Sequence, residues 1–518
     1  MYDYVIVGAG SAGCVLAARL TEDPHVRVLL LEAGPPDSSQ NIHVPLGFTR
    51  NFRTRYDWDL ATHPERQLQR RRIYLPRGRT LGGSSSINAM VYMRGNRADY
   101  DGWGCDGWSF DDLLPYFKRA EDNERGADEL HGAGGPLTVC DGRSRNPIAA
   151  AFIAAAVQAG LAPNDDFNGP AQDGTGWYQC TQRDGRRCST AVAYLHPVLS
   201  RPNLVVNTGA QVHRIVFDKL RATGVAGERY GEPFVAQAAR EVLLCAGTYH
   251  SPQLLMLSGV GPAAALERAG VVALHDLPEV GRNLQDHLSA GVTWSTDEPV
   301  SLLVARTEPE RCMRELLESG SGPLTSCIAE AGAFVRTSAD LAAPDLQLHA
   351  VPAAYPDEGL GEIVDHGLTL TSAVLTPRSR GQVTLASAEP TAKPRIEHNY
   401  LSEAADADRT IAGVRRLLEI AAQPALARYA TRPHGLPASD ADTDILRYVR
   451  ATAQTLYHPV GTCAIGRVVD TQLNVLGTER LRVVDASVMP QITRGNTNAP
   501  TIAIAERAAD LVRASSSG

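Results

Sequence analysis

The sequence predicts an α/β fold in two parts, a parallel-stranded dinucleotide-binding unit and an antiparallel sheet set over it. Two stretches predict the first part. "YDYVIVGAGSAGCVLAARL" opens the chain with an apolar strand, a glycine turn and a helix of small residues, and "VRVLLLE" follows as a second apolar strand ending on an acid. The second part is predicted by residues 289–454, where the texture changes to short β-branched runs such as "GLTLTSAVLTP". With 518 residues the chain is too long for one ordinary core, so more than one domain is expected.

In order along the chain, Tyr4 to Val7 reads as a strand and Gly8, Gly10 and Gly13 complete a G-x-G-x-x-G turn around Ser11 and Ala12. Gly8 permits the tight turn, Gly10 lets a pyrophosphate approach the backbone, and Gly13 lets helix and strand pack closely. The helix N-terminus then offers unpaired N–H groups to phosphate. Glu32, followed by Ala33, stands where an acid accepts from a ribose hydroxyl. A lone glycine motif is weak, but here strand, loop, helix, strand and acid fall in sequence. A second glycine stretch, "PRGRTLGGSSSINAMVYMRGNRADYD" at 76–101, carries Gly82, Gly83 and Ser84 between apolar Leu81, Ile87 and Val91, with Asn88 alongside. Two glycine loops around one cofactor favour a long one held along its length, so FAD is expected over NAD. Further on, "GAFVRT", "DLQLHAVPAAY" and "GQVTLAS" read as strands beside "GLTLTSAVLTP", and "DADRTIAGVRRLLEIAAQ" as an amphipathic helix. A last helix starts near Ala499, and the closing "SSSG" is expected to lack structure.

The totals exclude several classes. A net charge of −8 argues against nucleic acid as partner, and the basic run at 66–79 reads as a solvated loop. Nine cysteines without CxxC pairing fit reduced thiols and offer no zinc site. No leader pattern and no apolar run of spanning length is read, so a cytoplasmic protein without a membrane span is expected.

Long stretches of the chain resemble the glucose-methanol-choline (GMC) oxidoreductases. "GRTLGGSSSINAMVYMRGNRADYD" fits that family's first signature and "GTYHSPQLLMLSGVG" at 247–261 its second. Lesser matches include "HGAGGPLTV", "GRRCSTAVAYL", "VGRNLQDH" and "TPRSRGQVTL". The resemblance implies a Rossmann-like FAD-binding domain made of 1–155, 203–288 and 455–518, with a substrate-binding cap made of 156–202 and 289–454. It implies oxidation of an alcohol, expected to be primary, to the aldehyde, with the flavin reoxidised by oxygen or another acceptor. The rival reading is a hydroxynitrile lyase of the same fold that keeps FAD without redox turnover.

The same resemblance assigns the site. "TLYHPVGTCAIG" matches the family segment that presents a histidine to the flavin, here His458, and "GNTNAPTIAIAER" supplies Asn498 as its companion. Proline after His458 biases that residue to extended backbone, and a neutral imidazole can take an alcohol's proton. His196, in the look-alike "YLHPVLS", lacks the following Gly-Thr and reads as structural. Implied cofactor contacts beyond the two loops are Val212, Ala246, Tyr457, Asp485, Ala486, Thr497 and Asn498. Some relatives attach flavin through a histidine where this chain has Ile87, so the FAD is expected to be non-covalent. Candidate substrate-lining residues are Gln347, His349, Glu330 and Phe334.

Overall fold

A computed structural model describes residues 1–354, 361 and 364–515. Residues 516–518 of the closing "SSSG" lie outside the described residues. The strands of the two large sheets are β1 (Tyr2–Val7), β2 (Val28–Leu31), β3 (Gly174–Trp177), β4 (Leu204–Asn207), β5 (Ala210–Asp218), β6 (Arg221–Arg229), β7 (Glu232–Leu244), β8 (Leu288–Ser295), β9 (Ala331–Val335), β10 (Leu346–Val351), β11 (Gly367–Val374), β12 (Arg432–Pro433), β13 (Gln454–Thr455) and β14 (Leu481–Val483). The helices that matter for the site are α1 (Ser11–Leu20), α2 (Pro147–Gln158), α3 (Gly247–Leu257), α4 (Ala404–Ala421), α5 (Asp442–Thr452) and α6 (Asn498–Ser515).

The first sheet runs β4-β2-β1-β7-β6-β5, with β14 also paired to β7. Its β4, β2, β1, β7 and β14 are parallel, whereas β5, β6 and the first half of β7 form an antiparallel ribbon. Register brings Val7, Leu31 and Leu244 level. The Gly8 turn, Glu32 and Cys245-Ala246 therefore leave the sheet at one edge, the carboxyl ends of the parallel strands, where such sheets bind ligands. The stretches Tyr4–Val7, Val28–Leu31 and Val242–Leu244 at the centre of this sheet are continuous apolar runs, buried on both faces. Val5, Ile6, Leu29 and Leu30 are essentially inaccessible, each burial stabilising by roughly 1.5–3 kcal/mol.

The second sheet is antiparallel, β12-β8-β11-β10-β9-β3, with β13 paired to β8. It packs on α4 and α2 through Val414, Leu417, Ile148 and Phe152. Three expectations need correction here. The "GQVTLAS" run is not in this sheet: Gln382–Thr384 pairs with Arg395–Glu397 in a separate ribbon, with Val383 N–H bonded to Gly281 O and Val383 and Ile396 buried in the first core. A boundary after residue 155 would cut α2, whose apolar residues belong to the second core. Residues 188–195, assigned from sequence to the cap, bury Cys188, Ala191, Ala193, Tyr194 and Leu195 in the first core.

Helix α6 returns the chain to its beginning and packs on α1. Glu506, wholly buried, accepts from Arg19 Nη2 (2.8 Å), Tyr194 OH (2.8 Å) and Arg119 Nε (2.7 Å). A buried carboxylate is tolerated only with such complete pairing. Among the described residues the nine cysteines are unpaired, no cluster suited to a metal ion occurs, and no helix is long and apolar enough to cross a membrane.

Candidate active site

A cavity of about 680 Å³ runs between the two sheets, within the roughly 300–1,000 Å³ usual for small-molecule and cofactor sites. Its inner end is built on the edge where β1, β2 and β7 stop. Gly8 takes a φ of +98° to make the turn. Gly10 lies on the wall, and a β-carbon there would meet nothing nearer than Gly83 Cα at 4.0 Å. The two glycine loops thus face each other across bare backbone, and a Cβ on Gly83 would come within 2.6 Å of Gly10 Cα. Helix α1 starts with no side-chain cap and no acid in its first turn, so its first N–H groups stay open to an anion. Glu32, at the end of β2, accepts from Ala9 N–H (2.9 Å) and Gly34 N–H (2.8 Å), and burial raises its carboxyl to about 7.

The residues named from sequence as cofactor contacts line this cavity, except Gly13 and Gly82. Gly13 serves packing instead: a Cβ on it would fall 1.9 Å from Gly8 O. Gly82, at φ +84°, turns the second loop and donates its N–H to Ala9 O (2.7 Å). Asp485 reaches the wall with its carboxylate already engaged, by Gly247 N–H and Ser251 OH on one oxygen and Ser487 N–H on the other. The open anion site, the side-chain-free cradle and the acid at the β2 edge fit an elongated dinucleotide such as FAD.

At the outer end His458 sits in the loop after β13. Tyr457 before it has a left-handed φ of +66°, uncommon for a residue with a side chain and a sign that the surroundings impose it. Those surroundings are explicit. Thr455 Oγ1 accepts from Tyr457 N–H, Arg77 donates to Tyr457 O (2.8 Å), and Asp286 Oδ1 accepts from His458 N–H (2.8 Å). The imidazole is buried, with Nδ1 3.0 Å from Nδ1 of His287 and Nε2 3.1 Å from Nδ2 of Asn496. Burial first, then the nearby His287, His349 and Arg77, hold its pKa well below 6.5, so it is neutral at physiological pH.

Asn498, expected beside His458, is not the residue that reaches it. Its Oδ1 accepts from Ser11 Oγ (2.7 Å), tying the start of α6 to the first glycine loop, and the amide facing His458 is that of Asn496. The two asparagines are separated by Thr497 where the chain enters α6, Asn496 before the helix and Asn498 at its first residue, and their side chains meet different partners. His287, Asp286 and Arg77 were also missed, although the first two stand in the quoted "VGRNLQDH". His196 is where a structural histidine belongs, its Nε2 3.0 Å from Asp37, off the cavity wall.

The four candidate lining residues divide. His349, on β10, is on the wall; its Nδ1 is buried with no hydrogen-bond partner among the described residues, and burial lowers its pKa to about 4. Gln347 lies behind the wall and touches Asn496. Glu330 is not lining: Ser144, Asn146 and Ser326 occupy its carboxylate. Phe334 is not lining either, being buried among Phe167, Tyr178 and Met93. The wall instead carries an apolar patch of Phe48, Phe52, Ile87, Ile328, Ala329 and Val351, with Ser289, Thr293, Thr369, Thr371 and Tyr448 lining it from β8, β11 and α5.

Comparison with known proteins agrees with this geometry. Two family models, both described as GMC oxidoreductase, match residues 2–289 and 377–505. An alcohol dehydrogenase (acceptor) of Pseudomonas putida is 44% identical over 99% of this chain and 96% of its own length. The mitochondrial choline dehydrogenase of Homo sapiens is 43% identical over 99% of this chain and 90% of its own. Among solved structures, pyridoxine 4-oxidase from Mesorbium loti superposes with a TM-score of 0.89 at 34% identity, covering 98% of this chain and 99% of that one. A formate oxidase from Aspergillus oryzae gives 0.93 at 27% identity, covering 99% and 98%.

Proposed function

Because this chain belongs to the GMC oxidoreductase family, an FAD-dependent group acting on CH–OH donors, we propose that it oxidises an uncharged alcohol with His458 as base. FAD, bound along the cavity, supplies the acceptor for the hydrogen and electron pair that leave the carbinol carbon. The remaining work falls to side chains. Neutral His458 takes the hydroxyl proton at Nε2, the nitrogen turned toward Asn496. The Asn496 amide N–H that donates to Nε2 in the unliganded site would turn to the alcohol oxygen and hold it as it becomes negative. The apolar patch excludes water and seats the alcohol's hydrocarbon body.

The observation that carries the substrate reading is charge. Among the described lining residues the carboxylates are Glu32 and Asp485, both committed to backbone or hydroxyl donors at the cofactor end, whereas Arg71 and Arg77 are on the wall. Among the described lining residues a cationic alcohol would meet apolar surface and positive charge and find no free counter-ion. A primary alcohol is the reading carried over from the family resemblance. We keep the domain division read from sequence, with α2 moved to the cap and residues 188–195 to the FAD side, and the cytoplasm as location. Anaerobic mixing with 1-butanol, benzyl alcohol and choline tests the proposal. Neutral alcohols should bleach the flavin faster than choline does. Bleaching by choline alone would overturn the substrate reading, and no bleaching by any alcohol would overturn the redox reading in favour of a lyase. Reoxidation followed in parallel with oxygen and with an artificial dye identifies the acceptor.

A further inference from the structure

His458 is gripped on both ring nitrogens, and the partners on each side are themselves oriented by backbone carbonyls. On one side His287 Nε2 lies 3.1 Å from Leu375 O. A carbonyl can only accept, so that nitrogen carries the proton. Burial holds the His287 pKa down at about 4, so the ring is neutral and its Nδ1 presents a lone pair. That lone pair faces His458 Nδ1 at 3.0 Å. Two lone pairs cannot face each other at that distance, so His458 Nδ1 bears hydrogen and its Nε2 is bare.

The other side gives the same answer independently. Tyr178 OH donates to Leu348 O (2.9 Å), so its oxygen accepts from Gln347 Nε2 (3.2 Å). The same Gln347 nitrogen lies 3.5 Å from Asn496 Oδ1, a long contact that nonetheless turns the Asn496 oxygen toward Gln347 and its Nδ2 toward His458 Nε2. An amide N–H needs an acceptor, which again requires a bare Nε2.

We infer that His287 is a positioning residue: it fixes His458 in the Nδ1–H tautomer and accepts from the imidazolium once the alcohol proton has arrived at Nε2. A carboxylate usually fills this position behind a catalytic histidine. Here the carboxylate is one step removed, since Asp286 holds the backbone N–H groups of His287 (2.9 Å) and His458 (2.8 Å), while its other oxygen takes Tyr400 and Thr455. The other titratable groups facing the pair are His349 and Arg77. The inference rests on His458 being the base for its use in turnover, but the tautomer can be read without turnover.

Nitrogen NMR of enzyme labelled with 15N-histidine, flavin-loaded and flavin-free, tests it, with the His458 signals identified by their loss in His458→Ala. Protonated Nδ1 and unprotonated Nε2 are expected in both forms. In His287→Leu, where Asn496 is the constraint that remains, a fraction of Nε2–H tautomer should become detectable and alcohol-driven flavin reduction should slow about 10- to 100-fold, the value of one hydrogen bond to a group that becomes charged, with KM nearly unchanged. His287→Asn, which keeps an acceptor near the Nδ1 position, should restore the single tautomer and most of the rate. A proton on Nε2 in the wild type overturns the inference, as does a His287→Leu enzyme with wild-type tautomer and rate. If the leucine variant does not fold, the wild-type spectrum and the asparagine variant decide. Should His458→Ala reduce flavin normally, the base assignment fails while the tautomer result stands by itself.

Discussion

Replacing Gly10 and Gly13 by alanine in turn should damage the protein in opposite ways. At Gly10 the backbone is extended, φ −78° and ψ −163°, which alanine adopts without strain, and the new methyl points into open cavity. Gly10→Ala should therefore fold, with a flavin-free stability equal to wild type or up to about 1 kcal/mol higher, since alanine has less unfolded-state freedom to lose. It should not hold flavin, because the methyl occupies the space through which a pyrophosphate reaches the α1 N–H groups. At Gly13 the methyl would stand 1.9 Å from Gly8 O, about 1 Å inside the shortest separation real Cβ atoms adopt. Relief would require prising α1 from β1, both at the centre of the first core, and the cost should exceed about 4–5 kcal/mol, a large part of a typical total of 5–15. Flavin-to-protein absorbance ratios and thermal melts separate the cases. A Gly10→Ala enzyme with full flavin content would show the phosphate loop to be elsewhere, and a Gly13→Ala enzyme melting as wild type would refute the packing account.

His458→Ala should leave fold and flavin intact and slow anaerobic flavin reduction about 10²–10⁴-fold, whereas His196→Ala, bound only to Asp37, should leave the rate unchanged; stopped-flow absorbance reads both. Because the His458 pKa lies well below 6.5 and only the neutral ring accepts a proton, reduction should stay full through pH 6.5 and fall only at lower pH; a half-loss at 6.5 or above in a pH–rate profile would contradict this. Asn496→Ala should lower the reduction rate more than it lowers flavin content, and Asn498→Ala the reverse, since the first faces His458 and the second faces Ser11; rate and bound flavin measured on the same preparations decide. Acid precipitation should leave the yellow chromophore in the supernatant, because Ile87 occupies the wall position with no nucleophile to bond it; a coloured pellet would contradict this.

What could be read from sequence follows the range of the interactions concerned. The Gly8 turn, α1, β2 and Glu32 were legible because each depends on residues within a few positions of itself. His458 was legible from a local motif that places it in a loop. Asn496 was not, because it shares one short motif with Asn498 and their partners, His458 and Ser11, are distant in sequence. Glu330 and Phe334 failed for a different reason: a strand's period says which residues share a face, not which face meets the cavity. Glu330 is taken by Ser144 and Asn146, distant in sequence. The His287–His458 contact spans 171 residues, and no local pattern encodes it.

The cavity wall draws on residues from Val7 to Thr501, and the Glu506 carboxylate clamps α6 to both Arg19 and Arg119. During synthesis, then, the first β-strand and its glycine loop leave the ribosome long before the parts that complete their binding site. A nascent chain carries the phosphate loop with nowhere to keep a flavin until α6 has emerged and docked. Cofactor loading is thereby made a late event, and cells short of riboflavin should accumulate a full-length, folded apoprotein rather than truncated or half-loaded species.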